Sequence, residues 1–143
     1  MSKAQQREIE LYVTADGKIP FAEWLSNLKD KRAKDEVKRR LDRVIDGNFG
    51  DHHALPGTDG VSELRITYGP AYRIYYGETA TTIVVLLCGG DKSSQAKDIK
   101  KAKGYWQDYL ASLTVDEENY ESNEETSDNR GDNTDNSEEI DPI

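Results

Sequence analysis

At 143 residues the chain has room for one domain and little more, and 33% charged residues with a mean hydropathy of −0.86 exclude an apolar membrane protein. The net charge of −9 is unevenly spread: residues 1–113 carry 18 basic against 16 acidic side chains, whereas residues 114–143 carry Arg130 against 12 acidic ones. Residues 1–8 are polar and offer no secretory core, so a cytoplasmic protein without membrane attachment is expected.

Residues 8–13 alternate polar and apolar and then meet Asp16-Gly17, which reads as a strand and a turn. Pro20 suits the first turn of a helix, and Phe21, Trp24, Leu25 and Leu28 recur at helical spacing. A second helix carries Ala33, Val37, Leu41, Val44 and Ile45 on one stripe, with Lys34, Lys38, Arg39, Arg40 and Arg43 mostly off it and Gly47 as its stop. Residues 48–60, rich in Gly, Asp and His, have no period and read as a loop. Segments 61–68, 72–77 and 81–88 are apolar-rich and separated by short turns, as in an antiparallel meander. Ser93 or Ser94 then caps a last helix, which shows Ile99, Ala102, Trp106, Tyr109 and Leu110 at helical spacing.

The predicted fold is therefore α+β, in the order β-α-α-β-β-β-α. A small twisted antiparallel sheet is covered by an N-terminal helix hairpin, and a C-terminal helix completes a domain over residues 1–113. Residues 114–143 have too little apolar surface to offset ordering entropy and are expected to form a disordered acidic tail. Cys88, the only cysteine, ends an apolar run and reads as a core residue.

Strand alternation puts Leu64, Ile66 and Tyr68 on one face and Glu63 and Arg65 on the other; in the next strand Tyr72, Ile74 and Tyr76 oppose Arg73 and Tyr75. A short loop, Gly69-Pro70-Ala71, pairs Tyr68 with Tyr72 and sets Arg65 opposite Tyr75 and diagonal to Arg73. Lys92 lies near the N-terminus of the last helix, an end that favours anions. Two readings stand: a solvated sheet face held by Glu63–arginine pairs, or a phosphate site formed by Arg65, Arg73 and Lys92.

The stretches Gly60-Val-Ser-Glu-Leu-Arg-Ile66, Gly69-Pro-Ala-Tyr-Arg-Ile-Tyr75, Leu87-Cys-Gly-Gly-Asp-Lys-Ser-Ser-Gln95 and Asp98-Ile-Lys-Lys-Ala102 resemble the HigB-like addiction-module killers. These belong to the RelE/ParE toxins of type II toxin–antitoxin systems, and the resemblance covers roughly residues 8 to 110. It implies two N-terminal helices on a small twisted antiparallel sheet. For the RNA-cleaving branch it implies metal-independent cutting of mRNA in the ribosomal A site, by attack of the ribose 2′-OH on the adjacent phosphate and loss of the 5′-oxygen. Arg73 matches the transition-state arginine, Arg65 a basic position on the second strand and Lys92 one after the fourth. Tyr75 is the candidate for stacking a base or moving a proton. No match is found for the C-terminal tyrosine or histidine that some relatives use.

The resemblance implies no cofactor. As partners it implies a helix-turn-helix antitoxin, the ribosome and mRNA, with promoter DNA reached only through the antitoxin complex. The basic run around Lys38 and Arg39 reads equally as a solvated helix face and as a contact for rRNA phosphates. His52-His53 lacks further ligands for a metal, and His53 is a candidate RNA contact in an exposed loop. The acidic tail has three readings: an inert extension, a partner-binding segment, or an internal nucleic-acid mimic. The expected function is a ribosome-dependent mRNA endonuclease. The alternatives are a non-enzymatic DNA gyrase inhibitor of the ParE kind and an inactive phage-derived relative that only binds a partner.

Overall fold

A computed structural model describes residues 5–80 and 82–126, with side chains described up to residue 113. It is a mixed α+β protein with a five-stranded sheet and three α-helices in the order β1 (Glu8–Leu11), α1 (Pro20–Asn27), α2 (Lys31–Ile45), β2 (His52–Ala54), β3 (Ser62–Ile66), β4 (Tyr72–Thr79), β5 (Ile83–Asp91) and α3 (Gln95–Thr126). A single 3₁₀ turn, Lys92–Ser94, precedes α3. The chain divides into a first unit, Met1–Trp106, and a second, Gln107–Ile143. None of the described helices is long and apolar enough to cross a membrane.

Local chemistry explains most boundaries. Gly17, at φ 87°, closes the turn after β1, and Pro20 opens α1. Asp30 caps α2 by accepting from the Arg32 and Ala33 amides at 3.0 and 3.3 Å. Gly47, at φ 88°, ends that helix. The cap before α3 is Asp91, not Ser93 or Ser94: its carboxylate accepts from the Ser93 amide at 2.9 Å and from the Ser93 hydroxyl at 2.6 Å.

The sheet order is β1-β5-β4-β3-β2. It departs from the expected antiparallel meander in two respects. β1 pairs in parallel with β5, Glu8 opposite Ile83 and Leu11 opposite Leu86, because the α1–α2 hairpin carries the chain back before the meander begins. The expected loop 48–60 also contains β2, which pairs antiparallel with β3. Its residues are all exposed, so they carry no apolar alternation; the backbone alone makes this edge.

One sheet face packs on α1 and α2: Leu64, Ile66, Ile74, Val84 and Leu86 bury against Phe21, Ala33, Val37 and Val44. The opposite face, for which a solvated surface was one of the two readings, is largely covered. Cys88 Sγ lies 3.8 Å from the Asp98 carbonyl, and Tyr12 stacks on Tyr105 with centroids 5.0 Å apart. Val85, Leu87, Tyr75, Ala102 and Trp106 are buried as well. The first turns of α3 therefore cover this face, with Ala102 and Trp106 of the predicted apolar stripe buried there. Helix α3 continues to Thr126, so the expected domain boundary at residue 113 falls within a helix; the remainder of the expected tail, residues 127–143, lies outside the described residues.

The α3 seal depends on small residues beneath Trp106. A Cβ at Gly77 would come 2.5 Å from the indole ring, whereas one at Gly104 meets nothing within 4 Å. Gly77→Ala is expected to destabilise by about 1–3 kcal/mol. Gly104→Ala, in a helix interior, is expected to stabilise by roughly 0.5–1 kcal/mol, both read from urea midpoints. Burial pushes the Cys88 thiol up to about 12. A thiol whose proton is held more tightly in the folded state favours folding at neutral pH and loses that contribution as the solution turns strongly alkaline. Cys88 should resist a disulfide reagent at pH 8 in the native protein and react fully in guanidinium.

Candidate functional site

The site starts with the turn between β3 and β4. Tyr68 does not stay in the ladder: its hydroxyl donates to Asp30 at 2.9 Å, and its amide donates back to the Ile66 carbonyl at 2.9 Å. Gly69 and Ala71 take φ 59° and 67°, so the connection runs from residue 67 to 71 instead of 69 to 71. Ile66 then pairs with Tyr72, Leu64 with Ile74, and Arg65 stands directly opposite Arg73, not diagonal to it. The faces predicted from alternation hold, because this register keeps the same parity.

Like charges directly opposite on neighbouring strands repel. Glu63, fully buried and opposite Tyr75, lies between them. Its Oε2 accepts from Arg65 Nε at 2.8 Å, its Oε1 is 3.7 Å from Arg73 Nε, and Gln95 Nε2 donates to Oε1 at 3.3 Å. The Arg65 side chain is 40% exposed and that of Arg73 only 9%. The hydrogen bond to Glu63 raises the pKa of Arg65. Arg73 Nε and Nη1 and the Tyr75 hydroxyl are buried without a hydrogen-bond partner among the described residues.

Arg65, Arg73 and Tyr75 thus share one face, but Tyr75 is fully buried instead of outward-facing and cannot stack a base in this arrangement. Burial, and then the Glu63 charge, push its hydroxyl well above the usual phenol range, so it stays protonated. Lys92 is exposed in the 3₁₀ turn, directly after the β5 residues Gly90 and Asp91 that pair with Arg73 and Tyr72. Asp91 supplies its own anion at that helix end, its carboxyl held low first by the Ser93 hydroxyl.

The positions expected to touch RNA separate. Arg39 pairs with Glu36 at 3.1 Å on an exposed helix face, and Lys38 is exposed beside it. His53 sits on β2, its Nε2 2.9 Å from Asp51 Oδ1. Arg39 also lines a groove of about 220 Å³ between α2 and β3, together with Arg40, Arg43, Asp51, Arg65 and Tyr68. Lys38 and His53 are not part of its lining.

Sequence reasoning missed the role of Arg40, which it set with the other basic residues mostly off the apolar stripe of α2. The guanidinium donates to the Phe49 carbonyl at 3.2 and 3.0 Å, to the Asp51 carbonyl at 2.7 Å and to the Arg65 carbonyl at 2.6 Å. Burial lowers its pKa, Asp51 opposes that shift, and Arg43 adds repulsion. Helical phase held the only signal, since Arg40 lies one turn after the buried Val37 and one turn before the buried Val44. Arg40 therefore ties α2, the loop before β2 and the backbone of Arg65 together.

No protein-family model matches the chain. An uncharacterized protein of Haemophilus influenzae is 49% identical over 85 residues, covering 59% of this chain and 84% of that protein. The chain belongs to the same family as that protein.

Arg40→Lys keeps the charge but loses the planar fork, and is expected to destabilise the protein by about 1.5–3 kcal/mol. The urea midpoint measures it, and Arg39→Lys, on the exposed face, should leave that midpoint nearly unmoved.

Proposed function

We propose that the chain is the toxin of a type II toxin–antitoxin module, a RelE/ParE-like domain that inhibits growth by cutting mRNA on the ribosome. The observation that carries this reading is the direct opposition of Arg65 and Arg73 on β3 and β4 with one carboxylate, Glu63, between them. Two guanidinium groups against one carboxylate leave positive charge at a place where phosphate suits the arginine fork.

In this reading the ribose 2′-OH attacks the adjacent phosphorus, the 5′-oxygen leaves, and the negative charge that builds on the phosphoryl oxygens is met by Arg65. Arg65 is the exposed member of the pair and lines the open groove. Arg73, its side chain nine-tenths buried, reaches a phosphate only after its surroundings rearrange. Lys92 contributes long-range positive potential. The proposal includes an antitoxin of the helix-turn-helix kind, promoter binding through that complex and a cytoplasmic setting.

A second reading takes support from the burial of Arg73: a non-enzymatic inhibitor, such as one that blocks DNA gyrase, has no need of an accessible transition-state arginine.

Primer extension on mRNA after a brief pulse of expression separates the two. New 5′ ends are expected with the wild type, and Arg65→Ala should reduce their formation by about 10²–10³-fold while retaining the native circular dichroism. Intact mRNA with induction of DNA-damage signals would replace the nuclease with the gyrase reading. A chain harmless when expressed alone would leave the inactive relative.

A further inference from the structure

We infer that the groove between α2 and β3 is a phosphodiester site of its own: Arg39 and Arg43 grip one backbone phosphate of a single-stranded RNA beside the fixed charge of Arg40. The inference takes the identity of the ligand, RNA, from the reading above and rests on it for that alone. The guanidinium groups of Arg65 and Arg73, and the carboxylate between them, take no part.

Helix phase gathers the cations. Glu36, Arg39, Arg40 and Arg43 recur at i, i+3, i+4 and i+7 on α2, and all four line the groove. Arg40 is held by four hydrogen bonds to the Phe49, Asp51 and Arg65 carbonyls, so no further entropy is lost in positioning it when a ligand arrives. Those carbonyls carry no formal charge. Asp51 offsets the guanidinium charge in part, without an ion pair to it, and Arg43 adds repulsion. Arg43 itself is exposed and has no ion pair among the described residues. Arg39, its side chain 56% exposed, bonds Glu36 at 3.1 Å. An exposed pair of this kind contributes little and exchanges readily for another anion.

The charge count favours one phosphodiester. Three arginines of α2 face two carboxylates in the lining, Glu36 and Asp51, and the surplus is one positive charge. Asp51 is further engaged by His53 at 2.9 Å. Arg65, also in the lining, gives its Nε to Glu63 on the other side of the sheet and its carbonyl to Arg40, so its charge is not counted. A phosphodiester carries one negative charge, whereas a phosphate monoester carries about 1.5–2. At about 220 Å³ the groove is smaller than the ~300–1,000 Å³ of pockets that enclose a drug-sized molecule, so it admits a phosphate and leaves the base outside. The contact holds the strand without reading its sequence. Lys38 is exposed on the same helix but does not line the groove. Position, not charge alone, separates Arg43 from Lys38.

Titration of a fluorescent single-stranded oligoribonucleotide of mixed sequence, at several salt concentrations, tests the site through charge-matched pairs. Arg43→Gln and Lys38→Gln each remove one positive charge from an exposed position on α2. Arg43→Gln should weaken binding about fivefold and make the logarithmic salt dependence shallower by about 0.7, as for one lost phosphate contact on a single strand. Lys38→Gln should change binding by less than about twofold. Glu36→Gln and Asp35→Asn each remove one negative charge from the same helix, and Asp35 lies outside the lining. Glu36→Gln frees Arg39 and should tighten binding about threefold, against less than about 1.5-fold for Asp35→Asn. Circular dichroism checks folding. Should Arg43→Gln or Glu36→Gln fail to fold, Arg39→Gln replaces it; this leaves Glu36 unpaired in the groove and should weaken binding about fivefold relative to Lys38→Gln.

Groove variants that depart from their controls in the stated direction, in both pairs, support the site. Agreement within either pair, or a wild-type chain that binds no oligoribonucleotide at low salt, overturns it. If mRNA is cut in cells while the pairs bind alike, the nuclease reading stands and the groove site falls. If the pairs differ while mRNA stays intact, the groove site stands and the nuclease reading falls.

Discussion

A fully buried carboxylate between two opposed arginines sets the terms for this protein. Placing Arg65 across from Arg73 forces two cations together on adjoining strands, and Glu63 makes that register tolerable. Burying such a triad is rarely favourable compared with an apolar core, yet removing one member leaves an uncompensated charge. The cluster therefore restricts the sheet: a slip of β3 by one residue would swing Glu63 and Arg65 into the face that holds Ile74 and packs on Val37, and leave Arg73 without its carboxylate. Fold and site share this constraint.

The other half of the design is the cover. Helix α3 closes the charged face at one end through Gln95 and seals its apolar end through Trp106 over Gly77. The face that carries the arginines is thereby divided. Tyr75 and Arg73 lie underneath, and Arg65 emerges at the rim beside the α2 groove.

Much of this was legible in the chain. The stripes of α1, α2 and α3 and the alternation of β3 and β4 fixed which residues share a face, because periods of 3.6 and 2 follow from backbone geometry alone. Register was not legible, since it depended on Tyr68 leaving the ladder for Asp30, a partner 38 residues away. β2 escaped because an edge strand with every side chain in water has no hydrophobic pattern to betray it. Alternation separated Arg73 and Tyr75 from the core side, but it could not say that the last helix would cover them. In the candidate site, the shared face of Arg65, Arg73 and Tyr75 was legible and their exposure was not: exposure is decided by packing between elements far apart in sequence.

Arg40 has a further consequence. β2 ends its pairing near Leu64, so the outer side of β3 beyond that point has no neighbouring strand. Its Arg65 carbonyl is taken instead by a guanidinium from α2 at 2.6 Å. A side chain thus satisfies a backbone acceptor that the end of the β2–β3 ladder leaves without a strand partner. The residue that anchors the rim also completes the hydrogen bonding of the sheet where its outermost strand begins.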